Sequence, residues 1–209
     1  MSFSLLYQFP TWLQRLYTGV VWRKDSSSKV VYLTFDDGPI PVVTPWVVDL
    51  LGHYGIKATF FMVGDNVNKY PELLELLKSK GHRLGNHTYN HIGGLFCPSK
   101  KYLWNANKAA KLIKSNLFRP PRGWMKNSQY IRLRRHYTVI MWDLVTRDYS
   151  CRLTADEVFE NVKRYTRNGS IITFHDSLKS IDKLKTALPR SIEWLKEQGY
   201  EFKIFDENQ

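Results

Sequence analysis

Two hydrophobic periods take turns along the chain. Short runs rich in β-branched and aromatic residues read as strands: "KVVYLTF" (29–35), "KATFFMV" (57–63), "HRLGNH" (82–87), "NLFR" (116–119), "TVIMW" (138–142), "SIITF" (170–174) and "YEFKIF" (200–205). Between them the period lengthens to that of a helix. "VTPWVVDLLGHYG" stops at Gly55, and "YPELLELLKSKG" has Pro71 in its first turn and Gly81 just past its end. A helix over residues 99–115 places Leu103, Ala106, Ala110 and Ile113 on one face, and "SQYIRLRRH" gives another. "TADEVFENVKRYTRNG" opens on a capping box, Thr154 with Glu157, and closes on Gly169. A last helix spans residues 186–198, which puts Pro189 in its first turn, the only place that Pro fits well.

Seven strands alternating with helices predict a parallel sheet covered by helices, either closed as a barrel or open and doubly wound. Polar residues decide between them. Asp36 with Asp37, His87, Arg119, Asp148 and His175 each follow a different strand near its C-terminal end. A closed βα barrel gathers those ends around one rim, whereas an open sheet spreads them along an edge. A barrel is expected, over residues 29–209. The polar spacer "KDSSSK" separates it from residues 1–28, which read as a helical segment packed on the domain.

Composition narrows the class. A chain of 209 residues with 43% hydrophobic and 24% charged residues is one globular domain with a substantial core. Two cysteines, Cys97 and Cys151, imply no disulfide framework and are expected to be packing residues. The N-terminus lacks a basic region ahead of an apolar core, so no signal peptide is expected and a cytoplasmic location is the default. Net charge of +12 favours anionic partners, a glycan or a membrane surface among them, and the N-terminal aromatics suit peripheral membrane contact. The basic residues read as scattered, and no helix-turn-helix, zinc-finger or RNA-binding signature supports nucleic acid as a partner.

The chemistry begins at "TFDDGP". In a regular strand Asp36 and Asp37 would point to opposite faces, and the Gly-Pro that follows ends the strand where they stand. In "GNHTYNH", His87 and His91 are four apart, so one turn or tight loop presents both imidazoles to one ion. Two imidazoles and one carboxylate make a three-ligand site for a divalent ion, with zinc, cobalt or nickel suited to those donors. If Asp37 is the ligand, Asp36 is free to act as a base, with Arg119 or Arg122 of "FRPPRG" holding it ionised. His175 in "IITFHDS" stands where a general acid would meet a leaving group, and Asp148 in "MWDLVTRDYS" is its partner. Such a set fits attack of water on a carbonyl followed by protonation of an amine or alcohol.

"TFDDGP", "HTYNH", "RPPRG", "WDLVTRDY" and "FHDS", in this order, resemble the five motifs of the polysaccharide deacetylases of the NodB-homology type, carbohydrate esterase family 4. The resemblance covers about residues 29–205. It implies a distorted (β/α)7 TIM-like barrel that removes N-acetyl groups from amino sugars of a polysaccharide, peptidoglycan or glycan precursor. Position by position it implies Asp36 as base, Asp37, His87 and His91 as metal ligands, and Arg119 as the arginine holding the base. It likewise implies His175 as acid, Asp148 as the aspartate that tunes it, and the backbone N–H of Arg122 as oxyanion donor.

Three positions depart from the family pattern. Arg122 replaces a residue that is usually aromatic, which suits a phosphate or uronate on the substrate. Val145 replaces an extra Asp, and Tyr149, a substrate-binding candidate, replaces Trp. Thr173 replaces an apolar residue two before the last histidine. These departures motivate two rival expectations, a catalytically silent glycan-binding protein and a deacylase of a non-sugar amide.

Overall fold

The computed structural model describes residues 7–15, 17–24 and 27–206. Eight strands and eight helices alternate along them. The strands are β1 (Val30–Asp36), β2 (Thr59–Met62), β3 (Arg83–Asn86), β4 (Leu117–Phe118), β5 (Thr138–Val139), β6 (Leu144–Val145), β7 (Ile171–His175) and β8 (Glu201–Phe202). The helices are α1 (Thr11–Gln14), α2 (Val43–His53), α3 (Gly64–Lys69), α4 (Pro71–Ser79), α5 (Ser99–Ile113), α6 (Asn127–Leu133), α7 (Ala155–Tyr165) and α8 (Ile181–Glu197). Among the described residues no helix is long and apolar enough to cross a membrane.

All strand pairs are parallel, in the order β5-β4-β3-β2-β1-β7-β6. The result is a curled seven-strand half-barrel with helices outside, the distorted α/β barrel that the sequence predicts. β1 is its axis: Thr34 is in register with Thr59 on one side and with Thr173 on the other. β8 pairs with β1 only at Val30 and Val31, below the point where β7 takes over. Continuous apolar burial on β1, β2 and β7 follows from helices covering a parallel sheet.

Two elements differ from expectation at the same place. "TVIMW" forms a ladder only at Thr138–Val139, and a separate strand, Leu144–Val145, follows it. Among the described residues no ladder joins β5 to β6, and backbone of the N-terminal segment lies there instead. Val21 donates to Val139 and accepts from Met141, while the Tyr7 carbonyl accepts from Val145 N–H. The helix expected over residues 1–28 is a single turn, Thr11–Gln14, followed by isolated bridges at Val21 and Arg23. Residues 1–6, 16, 25 and 26 of that segment lie outside the described residues.

Helix boundaries follow their local chemistry. Thr154 Oγ1 accepts from Glu157 N–H while Glu157 Oε2 accepts from Thr154 N–H, closing the box at the start of α7. α8 begins five residues earlier than expected, so Pro189 is interior. The carbonyl that loses its donor belongs to Lys185, an exposed residue. α5 buries Tyr102, Asn105, Ala106, Ala109 and Ile113, sharing Ala106 and Ile113 with the expected stripe and replacing Leu103 and Ala110 by their preceding neighbours. Cys97 is half-buried, as a packing residue would be, but Cys151 is exposed, and both are free thiols.

α3, absent from the sequence reading, packs tightly on α5. A Cβ on Gly64 would lie 2.8 Å from the Tyr89 ring and 2.9 Å from the Ala109 Cβ. Gly64→Ala therefore overpacks this contact and is expected to cost about 1–3 kcal/mol. Urea unfolding checks it: the midpoint falls while the slope stays that of the parent protein.

Candidate active site

Asp36 is the last residue of β1 and points into the half-barrel, 3% exposed. Arg119 follows β4 and is fully buried beneath it. One guanidinium nitrogen donates to Asp36 Oδ1 at 2.7 Å and to Thr34 Oγ1 at 2.8 Å. The others donate to the carbonyls of Ile140 (3.2 Å) and Met141 (2.8 Å), and the group stacks 4.0 Å from the Phe61 ring centre. Burial draws the Arg119 pKa down, and the Asp36 charge opposes that shift. Thr173 explains its own departure from the family pattern: its hydroxyl lies 3.0 Å from that of Thr34, beneath the arginine.

Asp37 escapes the strand alternation through its backbone. Its φ is 81°, a left-handed conformation that turns the carboxylate away from where regular alternation would send it. Two contacts hold that turn. Asp176, buried, accepts from Gly38 N–H at 3.1 Å and from the Thr44 hydroxyl at 2.6 Å, and the Asp37 carbonyl accepts from Asn66 Nδ2 at 2.8 Å. A Cβ on Gly38 would fall 2.0 Å from the Asp176 carboxylate, so only glycine fits there. Burial is the main reason the Asp176 pKa rises, to about 8.

His87 and His91 come from a tight loop after β3 rather than a helical turn, with Thr88 and His91 both left-handed at φ 64° and 53°. Asn105 of α5 holds the loop: its Oδ1 accepts from Tyr89 N–H (2.7 Å) and Asn90 N–H (3.1 Å). His87 Nδ1 lies 2.8 Å from the Arg119 carbonyl, which fixes its proton on that nitrogen and leaves the Nε2 lone pair free. Burial pulls the His87 pKa down to about 4, so the ring is neutral. Burial works against ionisation of Asp37, yet the imidazoles of His91, His175 and His87 hold its carboxyl well below the usual carboxylate range.

Asp37, His87 and His91 offer ligand atoms that all lie within 4.8 Å of one another. Asp37 Oδ1 is buried without a hydrogen bond of proper geometry, 3.2 Å from His91 Nε2 and 3.8 Å from His87 Nε2. An ionised carboxylate oxygen left unsatisfied between two imidazoles fits a divalent cation.

His175 ends β7 and faces the same cleft. Asp148 grips it twice, accepting from His175 N–H and lying 2.8 Å from Nδ1. Burial opposes a charge on the ring, but the Asp148 carboxylate outweighs it and lifts the pKa from 6.5 to about 9. Tyr149 packs edge-on against the His175 ring at 4.6 Å. A cleft of about 400 Å³ receives Asp36, Asp37, His87, His91 and His175, with Arg122, Tyr149 and Val145 on its walls. Arg119 and Asp148 stand behind it, fully buried. All nine candidate residues thus converge.

Sequence reasoning missed several others. Trp142 and Lys179 also line the cleft. Asp176, next to His175, anchors the Asp37 turn. Asn105 lies off the apolar stripe expected for its helix and is buried in the structure. Asp143, by contrast, is structural: it pairs with Arg167 and accepts from Ser170 Oγ at 2.7 Å.

A buried carboxylate, an aspartate-paired imidazole and a cation-ready ligand set on one rim of a parallel half-barrel are the parts that hydrolysis of an acyl bond requires. The chain belongs to the polysaccharide deacetylase family, the NodB-homology enzymes of carbohydrate esterase family 4, whose sequence profile matches residues 23–136. It is 32% identical to a peptidoglycan-N-acetylglucosamine deacetylase of Bacillus cereus, over 88% of this chain and 89% of that protein. Identity with a chitooligosaccharide deacetylase of Sinorhizobium fredii is 30%, over 92% of this chain and 97% of that one. A crystal structure of a peptidoglycan N-acetylglucosamine deacetylase in complex with 4-naphthalen-1-yl-N-oxidanyl-benzamide superposes with a TM-score of 0.78 at 27% identity, covering 92% of each chain. Divalent-metal dependence is a property of this family.

The His175–Asp148 pair makes stability depend on pH. The folded pKa of about 9 exceeds the ordinary 6.5, so the pair's contribution is complete below pH 6.5 and is lost as pH rises through about 9. Asp176, raised from 3.8 to about 8, adds a loss of the same sign at the lower end of that window. In the metal-free protein, urea unfolding of Asp148→Asn is expected to show a decline above pH 6.5 shallower by on the order of a few kcal/mol. An identical decline in both proteins would count against the coupling.

Proposed function

We propose that this protein removes N-acetyl groups from amino-sugar residues of an N-acetylated glycan, peptidoglycan-like or chitin-like, releasing acetate and a free amine. The observation that carries the reading is the convergence of two opposed proton carriers on the cleft that also holds the three-ligand set. Asp37, His87 and His91 would hold the divalent cation, with zinc the best match to two imidazoles and a carboxylate and cobalt or nickel also compatible. When bound, the ion supplies Lewis-acid activation of water and polarisation of the amide carbonyl.

The chain's own groups divide the remaining work. Asp36, aimed by Arg119, takes a proton from the attacking water as its oxygen bonds to the acetyl carbon. The N–H of Arg122 serves as donor to the oxygen that gains charge. His175, protonated at neutral pH and oriented by Asp148, gives its proton to the sugar nitrogen as the C–N bond breaks. Trp142 and Tyr149 provide aromatic walls for a sugar ring, and Arg122 with Lys179 favours a carboxylate or phosphate on the substrate.

Acetate release from chitopentaose and from peptidoglycan tests this. Zinc-loaded protein is expected to release acetate from at least one of them. Chelation should abolish release until the ion is restored, and Asp36→Asn should lower the rate by roughly 100- to 10,000-fold. Undiminished release after both treatments would overturn the assignment.

A further inference from the structure

The basic residues prove not to be scattered. Residues 76–142 contain 14 lysines and arginines and no aspartate or glutamate, against 17 and 19 in the rest of the chain. The whole positive excess therefore lies on β3, α5, β4, α6 and β5, one side of the half-barrel. This acid-free stretch also carries, among the described residues, the most exposed large apolar side chain, Phe96 at 94%, with Leu95 beside it at 42%.

Leu95 and Phe96 form the tip of the loop between His91 and α5. Its base is fixed to the lip of the catalytic cleft. Gly94 N–H donates to the Trp124 carbonyl at 3.2 Å, and Gln129 Nε2 donates to the Gly94 and Cys97 carbonyls at 3.0 and 3.1 Å. Gly93 sits against the Arg122 side chain. Lysines stand at the two helix starts that adjoin this loop. Lys100 and Lys101 are exposed in the first turn of α5, Lys126 stands at the start of α6, and Ser99 and Ser128 tie those two helix ends together at 3.0 Å. Lysines at a helix N-terminus work against the helix dipole, and neither helix has an acid in its first turn.

A sugar subsite does not explain this tip. Sugar sites are concave and converge polar groups on the ring, whereas Leu95 and Phe96 stand outside the cleft and Leu95 has no π face. Protruding apolar side chains next to lysine-bearing helix starts match the boundary between acyl chains and anionic headgroups. We propose that the Leu95–Phe96 tip and the lysines at the starts of α5 and α6 dock this protein on an anionic membrane surface, with the cleft mouth beside the bilayer.

Co-sedimentation of the full chain with phosphatidylglycerol–phosphatidylcholine vesicles, and with phosphatidylcholine alone, tests the docking. The protein is expected to pellet with the anionic vesicles, less so as salt rises. Leu95→Ser with Phe96→Ser should weaken that binding by roughly tenfold, and Lys100→Glu with Lys101→Glu by at least as much. Both pairs are exposed, so the variants should keep the parent unfolding midpoint and the parent rate of acetate release from soluble chitopentaose. Protein that stays in solution with every vesicle would overturn the proposal. So would binding indifferent to the serine pair, or a tip needed instead for pelleting with insoluble peptidoglycan. Vesicle binding does not require turnover, so failure here is distinct from failure of the deacetylase reading.

Discussion

A guanidinium with no exposure sits at the centre of this protein, and the arrangement of the site follows from satisfying it. Taking such a charge out of water costs several kcal/mol unless it is paired and hydrogen-bonded. Arg119 meets that demand with Asp36, the Thr34 hydroxyl and the carbonyls of Ile140 and Met141, using groups from β1 and from the chain just after β5. Its own carbonyl then orients His87. A buried charge whose partners are fixed in this way has no low-energy alternative, so Asp36 and His87 inherit its rigidity. The polar interior of the half-barrel, where an ordinary barrel would be filled with aliphatic side chains, is thus a consequence of the site.

Two neighbouring carboxylates can hold different roles only if each has its own environment. Asp36 keeps the strand's geometry and receives the arginine. Asp37 leaves that geometry at φ 81° and receives imidazoles. Asp176 makes the departure durable by binding the Gly38 N–H on the far side of the turn. The third carboxylate is itself buried beside them, which raises its pKa and keeps a further negative charge off the cluster below about pH 8. Thr44 couples this anchor to the start of α2, so the first helix after β1 helps to aim the ligand.

What was legible in the sequence was whatever local chemistry determines. Strand-end polar residues located the rim, because parallel strands between helices leave only their ends for such groups. Thr154 and Glu157 marked a helix start because their reciprocal bonds are made within four residues. The short strands β4, β5 and β6 were harder: a two-residue ladder has no period, and Met141 and Trp142 read as strand although their neighbours in space are the N-terminal segment and the cleft. Pro189 misled because propensity alone could not show that the freed carbonyl is on an exposed residue. Asn105 and Asp176 act on loops distant in sequence, and nothing at their own positions names the backbone they hold.

Charge is divided along the chain in a way that the site itself mirrors. All the carboxylates of the site, Asp36, Asp37, Asp148 and Asp176, come from outside residues 76–142, while His87, His91, Arg119 and Arg122 come from within that acid-free stretch. The cleft is the seam where the two sides meet. Each carboxylate on one side would repel its neighbours if left alone, since Asp36 and Asp37 are adjacent in sequence. The cationic and imidazole groups arriving from the other side offset that repulsion in a medium of low dielectric, where such terms are strongest. Folding the acid-free stretch onto the acid-bearing remainder is therefore the event that makes the carboxylates compatible with one another, and the surplus positive charge stays on the side of the half-barrel that carries β3 to β5 and helices α5 and α6.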